Sequence, residues 1–304
     1  VAIEGMAKTE RLTGVVTPLL TPYENDLSIT EGLYLEHAAH CLDGGAHYLS
    51  PFGTTGEAVS NTMGERMAML ERLVASGTAT PGQLMPGTGL CNLEETVTLT
   101  RHAAEIGCAA AMVLPPFFYP PSDEGLYRYY SRLIETLGAQ APKIVLYNIP
   151  QNTGVPISPA LSARLNAAFP DVVTAYKDSS GNWDNTTAVI RAAPGISVFP
   201  ASETLLSKAI ALGAGGCISA TCNSNITAIR RLYEALRVGV WNETEKLQLG
   251  LEAHRNAVQD AGLISGLKSL KAYQTGERRW LNLRPPHETA EPAVGRSLAK
   301  TISQ

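Results

Sequence analysis

The chain has 304 residues, of which 44% are hydrophobic and 17% charged, with a formal net charge of −4. A single α/β barrel of roughly 250 residues plus a tail fits this length as well as two ordinary domains do. The weakly acidic balance gives no support to nucleic acid or an anionic membrane surface as a partner, and no apolar run approaches the roughly 18 residues of a membrane span.

The charged fraction lies below the roughly 25% of an average soluble domain, which fits a surface partly covered by a sister subunit. The five cysteines, Cys41, Cys91, Cys108, Cys217 and Cys222, are odd in number and lack CxxC spacing. They argue against a disulfide framework and a zinc site, and for a reducing cytoplasm. The opening VAIEGMAKTERL lacks the apolar core of a signal peptide and contributes nothing to the fold reasoning.

Along the chain, short β-type runs alternate with longer helical stretches. GVVTPLL from Gly14 leads to a helix starting near Thr30, which Gly44-Gly45 closes. HYLSPFGTTGE precedes a helix from Gly64 to Ser76, and QLMPGTG one over Asn92–Ile106. AAAMVLPPFF leads to a helix over Ser122–Leu137, KIVLYNIP to Pro159–Ala168, and VVTAYKDSSG to Asn182–Ala193. ISVFPAS leads to Glu203–Leu212 and GCISATC to Asn225–Leu236. The β runs are apolar throughout rather than alternating, as strands covered on both faces are. Strand–helix alternation implies parallel pairing. About eight such units point to a closed (β/α)8 TIM barrel over residues 12–238, with a doubly wound open sheet as the alternative. Residues 239–304 are expected to add two helices between Trp241 and Tyr273 and then an irregular tail, RPPHETAEPAVG.

A barrel of this kind carries its functional side chains at the C-terminal ends of the strands. Lys177 ends one apolar run, where burial disfavours an ammonium and frees a lysine's lone pair to attack a ketone. A lysine snorkelling to solvent is the plainer reading of such a residue alone. Tyr147 ends the preceding run, and neighbouring parallel strands bring their terminal side chains together. A phenol there can move protons during carbon–carbon bond cleavage. In Gly53-Thr54-Thr55-Gly56-Glu57 the glycines allow a sharp turn, and the amides and hydroxyls of Thr54 and Thr55 can hold a carboxylate.

GTTGE, LYNIP and YKDSSG, in this order and spacing, resemble the dihydrodipicolinate synthase / N-acetylneuraminate lyase family, with weaker matches in MPGTG and ISAT. The resemblance runs from Gly14 to Leu236. It implies a (β/α)8 barrel with C-terminal helices, class I aldolase chemistry and a homotetramer (a dimer of dimers). It also implies no metal or organic cofactor, only a covalent lysine–pyruvate imine. Carried over by position, Lys177 would form the Schiff base and Tyr147 would shuttle protons. Thr54 and Thr55, within the loop bounded by Gly53 and Gly56, would hold the pyruvate carboxylate. Gly216, Ile218 and Ser219 would line the same pocket.

Two positions depart from the family pattern. Members often lend a second tyrosine across a dimer interface; that position is Phe118 here, and phenylalanine cannot relay a proton. Tyr119 beside it either compensates or packs at the interface. The synthase has an arginine after its YNxP motif to grip the carboxylate of aspartate semialdehyde. Here that position is Asn152, and a neutral amide cannot replace a bidentate guanidinium–carboxylate pair. The expectation is therefore a lyase joining pyruvate to an uncharged, hydroxylated aldehyde, forming or cleaving a 2-keto-3-deoxy sugar acid or 4-hydroxy-2-oxo acid. Asn152, Ser179 and Ser202 would bond to its hydroxyls. The alternatives are 4-hydroxy-tetrahydrodipicolinate synthase, a dehydratase on the same Schiff base, and a catalytically weak binding or regulatory paralogue.

Elsewhere the chain lacks a complete GxGxxG, a P-loop and an HExxH motif. His37 and His40 share a helix face and read as surface or interface residues rather than metal ligands. Cys217 and Cys222 read as small core or pocket residues.

Overall fold

The computed structural model describes residues 11–240 and 244–302; the opening stretch before Arg11 and the expected extension start at Trp241 lie outside the described residues. The chain begins with β1 (Gly14–Pro18), α1 (Glu31–Asp43), β2 (Tyr48–Ser50), α2 (Met63–Ala75) and α3 (Leu93–Ile106). It continues through β3 (Ala111–Val113), α4 (Asp123–Leu137), β4 (Ile144–Asn148), a short α5 (Pro150–Thr153) and α6 (Pro159–Ala168). Then come β5 (Val173–Asp178), α7 (Trp183–Ala192), β6 (Ser197–Pro200), α8 (Leu206–Ala211), β7 (Gly216–Ile218) and α9 (Cys222–Arg237). The helices start where side-chain caps stand ready. Thr62 and Glu65 form a reciprocal capping box on α2, and Asn92, Ser122, Ser158 and Asn182 accept amide hydrogen bonds at the starts of α3, α4, α6 and α7.

All strand pairing between these elements is parallel. β1 lies between β2 and β7, and β3, β4, β5 and β6 pair in sequence. The QLMPGTG run supplies the missing stave, as isolated bridges rather than a regular strand. Leu84 bridges to Leu49 and Gly87 to Met112. Met85 N donates to Leu49 O at 2.8 Å on one side, and Met112 N to Pro86 O at 2.8 Å on the other. Pro86 has no N–H to give a ladder, which explains the irregularity. Gly87 is needed there because a Cβ would stand 2.2 Å from Phe52 O. Between β6 and β7, Gly215 N donates to Val198 O at 2.9 Å and completes the ring. The structure is thus the eight-stave barrel expected, not an open sheet.

Side chains alternate between two cores. Val16, Val145, Ala175, Phe199 and Ile218 belong to one cluster, inside the ring. Val15 and the neighbours Ile144, Leu146, Tyr176 and Val198 pack outward under the helices. The period of two therefore aims Tyr147 and Lys177 inward with Val145 and Ala175.

Beyond the barrel, α10 (Thr244–Asp260), α11 (Leu263–Thr275) and α12 (Pro292–Ile302) form a helical layer. The expected irregular tail is helical from Pro292 onward. Its Gly295 and Leu298 are buried, and Gly295 N donates to Ser269 Oγ at 2.7 Å on α11. That packing is tertiary, so it left no strong local signal.

Candidate active site

Tyr147 and Lys177 are direct partners in the β4–β5 register. Lys177 is 3% exposed and its amine stands 4.0 Å from the centre of the Tyr147 ring. It has no carboxylate partner among the described residues. The Tyr147 hydroxyl shares a hydrogen bond of 2.8 Å with Thr54 Oγ1. The amine thus lies over the phenol ring whose hydroxyl is bonded to the threonine.

The strand end bearing Lys177 is pinned by its neighbour. The carboxylate of buried Asp178 accepts from Asn148 Nδ2 at 3.1 Å, Ser180 N at 3.0 Å, Asn185 Nδ2 at 2.9 Å and Thr186 Oγ1 at 2.8 Å. Asn148 in turn accepts from Ile157 N at 2.9 Å. A carboxylate so saturated fixes its residue and, one step along the chain, the direction of the amine.

The GTTGE loop forms a 3-10 turn over Thr54–Gly56, whose first amides, Thr54 and Thr55, have no acceptor within the turn. Gly56 lies against the β1 end, where a Cβ would stand 2.6 Å from Leu19 O. Glu57 follows at φ 55, in the left-handed region that costs an ordinary residue. What holds it there is a buried ion pair with Lys268 of α11, together with Arg284 N donating to Glu57 Oε2 at 2.9 Å. Lys268 also donates to Asn282 O at 2.8 Å. Burial pushes the Lys268 ammonium down to about 8, against the pull of Glu57. Arg284 itself clasps the loop region, donating to Ser60 O at 2.9 Å, Leu27 O at 2.9 Å and Glu65 Oε2 at 2.9 Å.

A cavity of about 430 Å³ opens over these groups, lined by Thr54, Thr55, Tyr147, Asn152, Lys177, Ser179 and Ile218 among others. A second lobe of about 300 Å³ shares Thr54, Tyr147 and Asn152 and adds Gly53 and Arg66. Arg66 is buried, donates to Gly87 O, and is lowered to about 10 by desolvation. Four expected pocket residues stand elsewhere. Gly56 and Gly216 are backbone packing positions; a Cβ on Gly216 would meet Gly14 O at 1.8 Å. Ser202 caps the following turn, accepting from Thr204 N at 3.2 Å. Ser219 donates to the buried Glu203 and accepts from Arg255 Nη1 at 3.1 Å, so its hydroxyl is already engaged. Phe118 and Tyr119 lie outside the cavity, 84% and 78% exposed, their rings edge to face at 5.3 Å. Cys217 and Cys222 are buried core residues. His37 is buried too, with Nε2 2.7 Å from Asn223 Oδ1, rather than on the surface.

The helical layer adds residues that the motifs did not show. Arg255 and Gln259 of α10, and His287 of the tail, reach the cavity wall. Their only local signal was a polar side chain (a guanidinium, an amide or an imidazole) in otherwise ordinary helix and tail sequence. Lys268 was more visible, as a lysine between Leu267 and Leu270 on an apolar face.

The Dihydrodipicolinate synthetase family profile matches residues 11–304. The chain belongs to this family. Members of the dihydrodipicolinate synthetase family are class I aldolases, and this chain is a lyase among them. It is 33% identical over 289 residues to the 4-hydroxy-tetrahydrodipicolinate synthase of Thermus thermophilus, covering 94% of each chain. It is 33% identical over 260 residues to a DapA-like lyase of Chloroflexus aurantiacus, covering 84% of this chain and 85% of the other. Dihydrodipicolinate synthase from Agrobacterium tumefaciens superposes with a TM-score of 0.87 at 28% identity, over 96% of this chain and 98% of that one. At 22% identity, Escherichia coli YagE, solved in complex with pyruvate, shares the fold with a TM-score of 0.87 over 96% and 98%. Among the described residues no helix is long and apolar enough to cross a membrane.

Proposed function

We propose that this lyase binds pyruvate as a Schiff base on Lys177 and joins it to, or releases it from, an uncharged, hydroxylated aldehyde. The observation that carries the reading is the buried Lys177 amine 4.0 Å from the Tyr147 ring, with Tyr147 bonded to Thr54. The amine attacks the pyruvate C2 carbonyl, and the carbinolamine loses water to give the imine. Tyr147 supplies the proton for the departing hydroxyl. The Tyr147 phenolate then takes a C3 proton to give an enamine, whose C3 attacks the aldehyde carbon while Tyr147 returns that proton to the aldehyde oxygen; hydrolysis of the new imine restores the amine and the phenol. The amides of Thr54 and Thr55 receive the pyruvate carboxylate. No metal or organic cofactor enters this sequence.

The aldehyde half faces Asn152, Ser179 and Gln259, which suit hydroxyl groups. Apart from Lys177, the strong base on that wall is Arg255, and it lies 4.0 Å from buried Glu203, which offsets its charge. This favours a 2-keto-3-deoxy sugar acid or 4-hydroxy-2-oxo acid. The name of the Thermus thermophilus relative supports a second reading, condensation of pyruvate with aspartate semialdehyde. We also propose a cytoplasmic homotetramer, with the exposed Phe118–Tyr119 pair at an interface; the free thiols suit a reducing compartment.

Borohydride trapping with pyruvate, followed by peptide mass mapping, tests the mechanism. The expected product is a reduced pyruvate adduct on Lys177. Folded protein without that adduct overturns the reading and leaves the binding or regulatory paralogue. Turnover of pyruvate with hydroxyaldehydes and with aspartate semialdehyde then separates the two substrate readings.

A further inference from the structure

A different cavity, of about 700 Å³, lies on the flank of the barrel between α1, α9 and α11, and shares no lining residue with the two lobes at the strand ends. Lys271 of α11 lines it while only 6% exposed. Its ammonium has neither a hydrogen-bond acceptor nor an ion-pair partner among the described residues. Its ring contact is Trp280, with the ring centre 5.9 Å from the amine, a distance at which the attraction is weak.

The surrounding groups do not neutralise Lys271. Exposed Glu36 on α1 acts on it only through space. Glu277 is taken by Arg279, whose Nη2 donates to it at 2.7 Å. The His37 ring is engaged with Asn223, and His40 stands exposed beside it. On the opposite wall α9 departs from helical geometry at Asn225 (φ −146, ψ 35). Asn225 and Thr227 line the cavity there, and neither side chain has a hydrogen-bond partner among the described residues. A buried, unpaired cation that shares a cavity with two uncommitted polar side chains, half-buried Asn225 and exposed Thr227, is the composition of a site for a small anion. Glu36 at the rim would repel a large polyanion, which restricts the class further.

We propose that this flank cavity binds a small carboxylate or phosphate, held by Lys271 and completed by Asn225 and Thr227. The test uses full-length protein with Trp183→Phe and Trp241→Phe, so that Trp280 in the cavity wall is the sole tryptophan and is excited selectively over the tyrosines. Inorganic phosphate and, separately, malonate are titrated in at ionic strength held constant with sodium chloride. The expected result is a saturable change in Trp280 emission with at least one of them. In Lys271→Gln, checked for native circular dichroism, the affinity falls by roughly tenfold or more, as the loss of a charge-assisted bond requires. If Lys271→Gln does not fold, Thr227→Val is scored in the same way. No saturable change with either anion, or an unaltered titration in the folded variant, overturns the proposal. Neither outcome depends on the chemistry at Lys177.

Discussion

Lys268→Met removes the cation beneath the GTTGE loop and leaves the Glu57 carboxylate fully buried, with the Arg284 amide as its remaining donor. Breaking a buried pair from one side typically costs about 3–5 kcal/mol. Asn282 O also loses its 2.8 Å donor. Unfolding entropy for a chain of this length is about 0.6 kcal/mol/K, so the melting temperature should fall by roughly 5–8 °C. Because Glu57 directly follows Thr54-Thr55-Gly56, the KM for pyruvate should rise more than kcat falls. The double variant Glu57→Gln/Lys268→Met removes both charges and should recover more than half of the lost stability. Scanning calorimetry on the four proteins of the cycle checks this. A drop of less than about 2 °C in Lys268→Met, or a double variant no more stable than the single, would refute the view that this ion pair holds the loop.

Three further outcomes follow from the same geometry. The hydrogen bond from Arg284 holds the Glu65 carboxyl down to about 2, against an ordinary 4.5. Its folded form therefore releases the proton more readily than the unfolded chain does. That contribution is complete above about pH 4.5 and is lost as the pH falls through 2. After discounting for partial exposure it amounts to about 1–2 kcal/mol. Denaturant midpoints of wild type and Glu65→Gln should differ at neutral pH and converge on acidification. Asp178→Ala strands the donors of Asn148, Asn185 and Thr186 and should cost roughly 3 kcal/mol or more in urea unfolding. It should also lower kcat, by loosening the Lys177 strand end. Tyr147→Phe should lower kcat by about 100-fold or more while the pyruvate adduct on Lys177 remains trappable; undiminished turnover would remove Tyr147 from the proton path.

The barrel was largely legible because its strands are apolar on both faces, and because runs such as IVLYN and VVTAYKD end on a polar pair, Tyr147-Asn148 and Lys177-Asp178. The same runs identified Tyr147 and Lys177, which the register then sets side by side. The stave around Pro86 was legible as a place in the ring but not in its irregular bonding, which depends on what flanks it. Ser202 and Ser219 were assigned to the pocket by position along the strands, yet their hydroxyls are committed to a cap and to Glu203. Such commitments are tertiary and have no periodic signature. The supports of the loop were hidden for the same reason: Glu57 meets Lys268 across 211 positions and Arg284 across 227.

Those separations set an order of events for a chain made from its N-terminus. The GTTGE loop and both Tyr147 and Lys177 leave the ribosome well before Lys268 and Arg284 do. A nascent barrel can close its ring of staves, but Glu57 then has no cation to bury against, and its left-handed backbone is left to local bonds with Thr54, Ser60 and Asn61. The loop proposed to hold the carboxylate takes its working shape only when Lys268 and Arg284 fold back onto it. Translation thus delivers the amine early and its binding partner late, and a chain truncated before α11 would carry the nucleophile without the loop geometry that directs it.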